Sequence, residues 1–263
     1  MTLNPRINPD KFFAHLKKAK LAALLLDYDG TLAPFRIKRE KAWPYSGVRQ
    51  ILESIIDSTD TRVVVISGRW TKDLIPLLGL RRLPEIWGSY GHERLTPDGN
   101  YKLIDPEPQI TGGLDEAVRQ AQSAGFANMV ERKPASVALH WRGIKPTRRN
   151  TMRNNIEKVW STIAESSGLA IREFDGGIEL RHPAQHKGGV VRTVLSEMGT
   201  DVGTAYLGDD LTDEDAFYAI RGRGVGILVR REIRQTAADL WLKPPEELRK
   251  FLTRWAESRA DNR

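Results

Sequence analysis

The sequence predicts an α/β protein built on a doubly wound parallel sheet, with a smaller α+β module inserted into it. Three short apolar runs, Leu21–Leu26, Thr61–Ile66 and Thr204–Gly208, have the composition of strands that are buried on both faces, as in parallel sheets. Polar residues follow each run directly. Because ligands bind at the carboxyl ends of parallel strands, the same pattern predicts a functional site at that edge.

The first apolar run leads directly into two aspartates, Asp27 and Asp29, and then into a turn at Gly30. On a continuing strand both carboxylates would point to one face, since side chains alternate. Crowded carboxylates favour a divalent cation, and an aspartate can also be a nucleophile that accepts a phosphoryl group. A strand that ends in a solvated Asp-Gly turn is the alternative, and this segment alone does not decide between them.

A second acidic cluster follows the run Thr204–Gly208. Asp209 stands where that strand ends, so it is a candidate metal ligand. Asp213, Glu214 and Asp215 open the next predicted helix, whose first turn favours acidic side chains because of the helix dipole. Capping of that helix is the role that we expect for Glu214 and Asp215.

Donors for an anion follow two further elements. Ser67-Gly68-Arg69 comes after the run Thr61–Ile66, and a serine hydroxyl and a backbone N–H beside glycine suit phosphate oxygens. Lys187 begins a predicted helix, where a cation is unfavourable unless an anion lies nearby. A surface lysine is the alternative, but Lys187 comes shortly before a strand that ends in acids.

Composition narrows the class of protein. The sequence has no cysteine, which excludes disulfides and thiolate chemistry. No apolar stretch approaches the about 20 residues of a membrane-spanning helix, so we expect a cytoplasmic protein. The net charge of +7 could suit nucleic acid, but the basic cluster 142–153 lies partly on one exposed helix face and no nucleic-acid motif accompanies it. We therefore expect an anionic small molecule as partner, with no nucleic acid and no membrane.

Taken in chain order, DxDGTL, Ser-Gly-Arg, a helix-opening lysine and GDDxTDED resemble the motifs of the haloacid dehalogenase (HAD) superfamily of phosphotransferases. The resemblance covers about residues 20–95 and 180–245, and the combination of its first and last motifs is specific. It implies a Rossmann-like HAD core and Mg²⁺ as the cofactor.

The middle of the chain predicts a separate α+β module. The proline-rich stretch Asp105–Pro108 indicates a hinge, which divides the chain into a first core part (1–105), the module (106–183) and a second core part (184–263). Strict alternation over Ser136–Arg142 places Val137, Leu139 and Trp141 on one strand face. A module inserted between the strands of a phosphotransfer core is typical of a cap that closes over the active site.

Motifs in this module resemble those of the trehalose-6-phosphate phosphatase family. They are Glu131-Arg132-Lys133, Leu139-His140-Trp141-Arg142 and Gly177-Ile178-Glu179-Leu180-Arg181. In that family an E-x-K pair on the cap hydrogen-bonds sugar hydroxyls, a role that the resemblance implies for Glu131 and Lys133. An ion pair on a strand edge is the alternative. His140 and Arg142 are further candidates for binding substrate.

One segment departs from the family pattern. The stretch Gly88–Glu93 reads G-S-Y-G-H-E, whereas the usual form is closer to G-N-H-G-x-E. Tyr90 stands where the family has histidine, and His92 comes two positions later. The resemblance therefore gives no role to Tyr90 or His92.

The resemblance implies a role for each acidic residue of the core. Asp27 would be the nucleophile, and Asp29 would protonate the leaving group and then deprotonate water. Mg²⁺ would be held by Asp27, the backbone carbonyl of Asp29 and Asp209, with Asp213 as a candidate outer ligand. The role of Asp210 is open.

The resemblance also implies roles for the donors. Lys187 and Ser67 would stabilise the charge on the phosphoryl oxygens in the transition state. Gly68 and Arg69 are candidates for binding the phosphate, although Arg69 could instead pair with an acid.

The expected reaction is hydrolysis of trehalose 6-phosphate by a monomer. The same chemistry on sucrose phosphate, mannosyl-3-phosphoglycerate, glucosylglycerol phosphate or a hexose phosphate is an alternative, since the choice among sugars depends on few hydrogen bonds. A catalytically inactive, phosphatase-like binding domain is a further alternative. The presence of every core acid, the serine and the lysine argues against it.

Overall fold

The computed structural model describes residues 2–4, 7–104, 106–174 and 176–260. The chain forms two compact units. The first, called the core unit here, is Met1–Lys102 with Lys187–Arg263, and the second, called the insert, is Leu103–His186. Asp105, in the predicted hinge, lies outside the described residues.

The described α-helices and β-strands follow in chain order. The helices are α1 (Pro9–Lys18), α2 (Val48–Ser58), α3 (Thr71–Leu78), α4 (Pro108–Ser123), α5 (Pro146–Ser167), α6 (Lys187–Met198), α7 (Glu214–Ile220) and α8 (Glu246–Arg259). The strands are β1 (Leu21–Leu26), β2 (Thr61–Ile66), β3 (Glu85–Gly88), β4 (Glu93–Leu95), β5 (Tyr101–Leu103), β6 (Val130–Lys133), β7 (Ser136–His140), β8 (Ala170–Phe174), β9 (Gly177–Arg181), β10 (Val202–Gly208), β11 (Val225–Val229) and β12 (Leu240–Leu242).

The core unit is organised around one sheet of eight strands, in the order β12-β11-β10-β1-β2-β3-β4-β5. Neighbouring strands run parallel from β12 to β3, and β3 pairs with β4 antiparallel. Leu24 and Leu26 pack on one face with residues of α1, α2, α3 and α8, whereas Ala23 and Leu25 pack on the other face with α6 and α7. Helices on both faces of a parallel sheet confirm the predicted α/β class.

The position of β1 in the sheet prepares a site at its carboxyl end. β1 lies between β10 and β2, so that Leu26 is paired with Leu207 on one side and with Val65 on the other. The residues that follow these three strands are therefore neighbours at one edge of the sheet, although the chain separates them widely.

The insert contains its own sheet, with the antiparallel order β6-β7-β9-β8. Val137 and Leu139 of β7 pack with Leu114 of α4 and Trp160 of α5 in an apolar cluster. Glu131, Ala138 and Glu179 are paired across three neighbouring strands, so they share a face of the sheet. That shared face carries polar side chains.

Two local expectations about the insert differ from the structure. The strand predicted to reach Arg142 ends at His140, where the backbone turns and the Trp141 N–H donates to the Gly176 carbonyl. Pro108, which was assigned to a hinge, is the first residue of α4. Proline is favoured at this position because the first N–H of a helix has no partner within the helix. None of the described helices is long and apolar enough to cross a membrane.

Candidate active site

Three buried carboxylates meet at the carboxyl end of β1 and β10. Asp27 follows β1 directly, and its N–H donates to the Leu207 carbonyl of β10 at 2.8 Å. Asp209 follows β10, and Asp213 lies four residues later in a short 3₁₀ turn. Their carboxylate oxygens lie within 4.8 Å of one another, and no more than 3% of any of the three residues is exposed.

Lys187 faces this group from the first residue of α6. Its Nζ donates to Asp27 Oδ1 at 2.5 Å and to Asp213 Oδ1 at 2.7 Å. Burial alone would lower the pKa of Lys187, but the carboxylates of Asp213 and Asp27 outweigh this effect and raise the pKa. The lysine therefore remains an ammonium group, although it stands at the positive end of a helix.

Asp213 organises the turn that carries Asp209. Asp213 Oδ2 accepts the N–H of Asp209 at 3.0 Å and that of Asp210 at 2.9 Å. Asp213 Oδ1 accepts the hydroxyl of Tyr206 in addition to the ammonium of Lys187. The four donors fix this carboxylate in one orientation. Tyr206, a buried residue of β10, has no marker in the sequence that distinguishes it from other strand residues.

The charges of this group fit a divalent cation. Burial, and then repulsion from Asp27 and Asp213, raise the pKa of Asp209 well above its ordinary value. Burial likewise raises the pKa of Asp27 to about 7, although Lys187 opposes the change. Asp209 Oδ1 is buried and accepts no hydrogen bond from any described residue. A hard cation such as Mg²⁺, which prefers carboxylate oxygens, would supply both the missing charge and the missing partner.

The side chain of Asp29 does not join the three carboxylates. It accepts two hydrogen bonds from Arg69, at 2.6 Å from Nε and 2.7 Å from Nη2. Arg69 is 5% exposed and also donates to the Arg39 carbonyl at 3.1 Å. Of the two roles left open for Arg69, the structure shows the pairing with an acid.

Hydroxyl groups complete the edge of the sheet. Ser67 follows β2 and is 1% exposed, and its Oγ accepts the Arg69 N–H at 3.1 Å. Thr31 donates its hydroxyl to Asp27 Oδ2 at 3.0 Å, so both oxygens of Asp27 are held. Thr31 belongs to the DxDGTL motif but was not among the predicted site residues.

A loop after β11 donates hydrogen bonds to the turn that carries Asp209 and Asp210. Arg234 donates to the carbonyl of Asp210 at 2.7 Å and to that of Asp209 at 3.3 Å. Glu214 pairs with Arg234 and accepts the Ala237 N–H at 2.7 Å. Glu214, which was expected to cap a helix, therefore also anchors this loop.

In the insert, the predicted sugar-binding residues have partners of their own. Lys133 pairs with the buried Glu179, which also accepts the Ser136 hydroxyl at 2.7 Å. Burial alone would raise the pKa of Glu179, but Lys133 and Arg181 outweigh it and lower the pKa. Glu179 was not among the predicted site residues, although the register of β7 and β9 places it on the same face as Glu131.

The other three predicted residues of the insert are Glu131, His140 and Arg142. Glu131 Oε2 is 2.8 Å from His140 Nε2, and the His140 ring meets the edge of Phe174 at a centroid distance of 5.5 Å. Arg142 lies against the backbone of Gly176, where an added Cβ would be 2.9 Å from the guanidinium.

Comparison with known proteins shows which family the chain resembles. The trehalose-phosphatase family matches residues 25–243. The trehalose-phosphate phosphatase of Mycobacterium leprae is 32% identical over 265 residues, which cover 92% of this chain and 59% of that protein. The chain thus spans about three fifths of that relative.

Solved structures show the same fold. The C-terminal domain of the C. albicans trehalose-6-phosphate phosphatase superposes with a TM-score of 0.81 at 19% identity, over 97% of this chain and 99% of that domain. A haloacid dehalogenase-like hydrolase from Bacteroides thetaiotaomicron gives a TM-score of 0.64 at 17% identity, over 89% of this chain and 99% of that chain. Because the family match extends over more than half of the sequence and includes the whole carboxylate group, the chain belongs to the trehalose-phosphatase family.

Proposed function

We propose that this chain is a Mg²⁺-dependent phosphomonoesterase that hydrolyses trehalose 6-phosphate to trehalose and phosphate. The observation that carries the proposal is the group of Asp27, Asp209 and Asp213 around the Lys187 ammonium at the carboxyl end of a parallel sheet. Membership of the trehalose-phosphatase family supports the choice of substrate.

The first proposed step forms a covalent intermediate on Asp27. One carboxylate oxygen attacks phosphorus, the bond between phosphorus and the sugar oxygen breaks, and an aspartyl-phosphate results. The hydrogen bonds from Lys187 and Thr31 orient the carboxylate for this attack. Orientation of this kind lowers the barrier because less freedom is lost on reaching the transition state.

Asp29 is proposed to carry the proton in both steps. It protonates the leaving sugar oxygen and then takes a proton from the water that attacks phosphorus, which breaks the bond to Asp27 and releases phosphate. The two hydrogen bonds from Arg69 fix the orientation of the Asp29 side chain for both transfers.

The metal is proposed to be held by Asp27, the backbone carbonyl of Asp29 and Asp209, with Asp213 as an outer ligand. Bound Mg²⁺ supplies positive charge next to the phosphoryl oxygens. Lys187, the Ser67 hydroxyl and the Gly68 N–H donate to the same oxygens as charge develops on them.

The sugar is proposed to be selected by the insert. Glu131 and Lys133 are the principal residues, with His140 and Arg142 as further contacts. Their present partners, His140 for Glu131 and Glu179 for Lys133, hold these side chains in defined positions. Prepositioned donors and acceptors favour the sugar whose hydroxyls match them.

Phosphate release from trehalose 6-phosphate, sucrose 6-phosphate, glucose 6-phosphate and p-nitrophenyl phosphate, each with Mg²⁺, tests the proposal. We expect a strong preference for trehalose 6-phosphate that is lost in Asp27→Asn and kept in Asp201→Asn, which changes an exposed aspartate. Turnover of a different sugar phosphate would keep the role of Asp27 and overturn those of Glu131 and Lys133. If no phosphate were released from any of these esters, the alternative of a catalytically inactive binding domain would be favoured.

A further inference from the structure

The turn after β3 contains a strained tyrosine that none of the proposed steps uses. Tyr90 has φ 57° and ψ 26°, and the preceding Ser89 has φ 48°. Both residues lie in the left-handed region of backbone conformation, which residues other than glycine rarely adopt. Such a conformation persists only where surrounding contacts enforce it, and it occurs often at functional sites.

A buried carboxylate enforces this turn. Glu93, which is 0% exposed, accepts the Ser89 hydroxyl at 2.6 Å, the Thr71 N–H at 3.2 Å and the Tyr101 hydroxyl at 3.0 Å. The Thr71 N–H belongs to the first residue of α3, so the same carboxylate joins the start of that helix to the strained turn. Glu93 therefore ties Ser89, the first of the two strained residues, to the start of α3.

The turn is joined on its other side to Ser67-Gly68-Arg69. The Tyr90 N–H donates to the Ser67 carbonyl at 3.0 Å, and the Ser89 N–H donates to the Arg69 carbonyl at 2.8 Å. In a trans peptide the C=O and the following N–H point in opposite directions. The bond to the Ser67 carbonyl therefore directs the Gly68 N–H away from the Tyr90 turn.

The Tyr90 ring adds a steric constraint. The phenol lies over Gly68 so closely that a methyl group built there would be 2.5 Å from Cζ and 2.6 Å from the hydroxyl oxygen. Tyr90 is only 7% exposed, so its ring has little room to move aside. Gly68 is required at this position because of the ring above it.

We propose that Tyr90 is a positioning residue for the phosphate-binding turn. Its ring, held over Gly68 by the strained backbone, fixes the direction in which the Gly68 N–H and the Ser67 hydroxyl are presented to phosphoryl oxygens. The inference rests on the proposed phosphatase function, since it assigns these donors to a phosphate.

Four variants test the proposal: Tyr90→Asn, Tyr90→Phe, Gly68→Ala and the double variant Gly68→Ala/Tyr90→Asn. Asparagine tolerates the left-handed region and removes the ring, whereas phenylalanine keeps the ring. Calorimetric titration with inorganic phosphate, in the presence of Mg²⁺, measures the affinity of the turn Ser67-Gly68-Arg69 for phosphate without requiring catalysis. Tyr218→Asn is the matched control because Tyr218 is a 59% exposed tyrosine of the same unit.

We expect Tyr90→Asn to weaken phosphate binding and raise KM about tenfold, since a displacement of about 1 Å at a binding group can cost this much. Tyr90→Phe should lose clearly less phosphate affinity than Tyr90→Asn, because it keeps the ring. Gly68→Ala should lose clearly more affinity than Tyr90→Asn, because its methyl group collides with the ring. The double variant should match Tyr90→Asn alone, because the methyl group then has room. The Tyr218→Asn control should bind phosphate as the unsubstituted protein does.

Three results would overturn the inference. The first is an equal loss of phosphate affinity in Tyr90→Phe and Tyr90→Asn, which would assign the effect to the hydroxyl. The second is a lowered melting temperature of Tyr90→Asn with unchanged phosphate affinity. The third is a double variant that binds phosphate as weakly as Gly68→Ala. If the unsubstituted protein binds phosphate but releases none from any ester, the proposed function fails while the inference about the turn remains open to the same titrations.

Discussion

The environment of the Asp27 carboxyl group disfavours its charged form. Burial raises its pKa from 3.8 to about 7, and repulsion from Asp213 acts in the same direction, whereas Lys187 opposes both. In the folded protein without metal, the group therefore holds a proton over a pH range in which the unfolded chain has released it. Proton release and unfolding are thereby coupled.

The sign of this coupling gives a first prediction. Between pH 3.8 and about 7 the folded state binds the proton and the unfolded state does not, so the contribution of Asp27 to stability is lost as pH rises. We expect the melting temperature of the metal-free protein to fall more steeply over this window than that of Asp27→Asn, by on the order of a few degrees. Parallel curves for the two proteins would contradict it.

Asp209 gives a second prediction, which concerns the metal. Its Oδ1 is buried and accepts no hydrogen bond from the residues that the structure describes. A ligand that binds only the folded state raises stability, so Mg²⁺ should raise the melting temperature at pH 7 by a few degrees. Asp209→Asn should abolish the increase, whereas the exposed Asp201→Asn should keep it. An increase of the same size in Asp209→Asn would place the metal elsewhere.

At the scale of the elements, the loop after β11 stabilises the turn that carries Asp209, although about 25 residues separate the two in sequence. Arg234 satisfies the carbonyls of Asp209 and Asp210, and the loop is itself tied to α7 through Glu214. Loss of the Arg234 donors leaves the Asp210 carbonyl with the Asp213 N–H at 3.0 Å and the Asp209 carbonyl with the longer contact to Arg230 at 3.5 Å. The orientation of the Asp209 carboxylate should then be less well defined.

A third prediction follows for Arg234→Gln. The free energy of unfolding should fall by about 1.5–3 kcal/mol, as is usual when a hydrogen bond from a charged group is lost. Mn²⁺ binding, followed by electron paramagnetic resonance, should weaken by about tenfold, since affinity depends on ligand orientation by the groups behind it. Arg231→Gln, an exposed change of equal charge in the same loop, should have a smaller effect. Equal effects would assign the result to charge alone.

The strands of the core could be predicted from sequence because apolar runs in a parallel sheet are continuous. β1 and β2 have the predicted bounds, and β10 begins two residues before the predicted run. The partners that orient the site could not be predicted in the same way. Tyr206 and Arg234 act through contacts that the fold creates between separate elements, and nothing in their immediate sequence marks them.

At the scale of the whole molecule, each unit has an apolar core of its own. The cluster around Leu114, Leu139 and Trp160 contains only residues of the insert. The two clusters that flank the large sheet contain only residues of the core unit. Units with separate cores can in principle fold independently.

A fourth prediction is therefore that residues 103–186, expressed alone, fold cooperatively. Thermal unfolding followed by circular dichroism should give a single sigmoidal transition. The same fragment with Leu139→Asp, which places a carboxylate in the cluster, should show none, because an unpaired buried charge is unfavourable. A gradual, non-cooperative melt of the unsubstituted fragment would mean that the insert depends on the core unit.

The pairing of β1 with β10 also has a consequence for the newly made chain. Asp27 and Lys187 are separated by 160 residues. At about 5–20 residues per second, a ribosome needs roughly 10–30 s to add the second after the first. Throughout this interval β1 lacks its β10 neighbour, and once β1 has left the tunnel its apolar side chains must be kept from other nascent chains. The acidic site can be assembled only after translation has passed β10 and Asp213, so an unfinished polypeptide carries Asp27 without the residues that surround it.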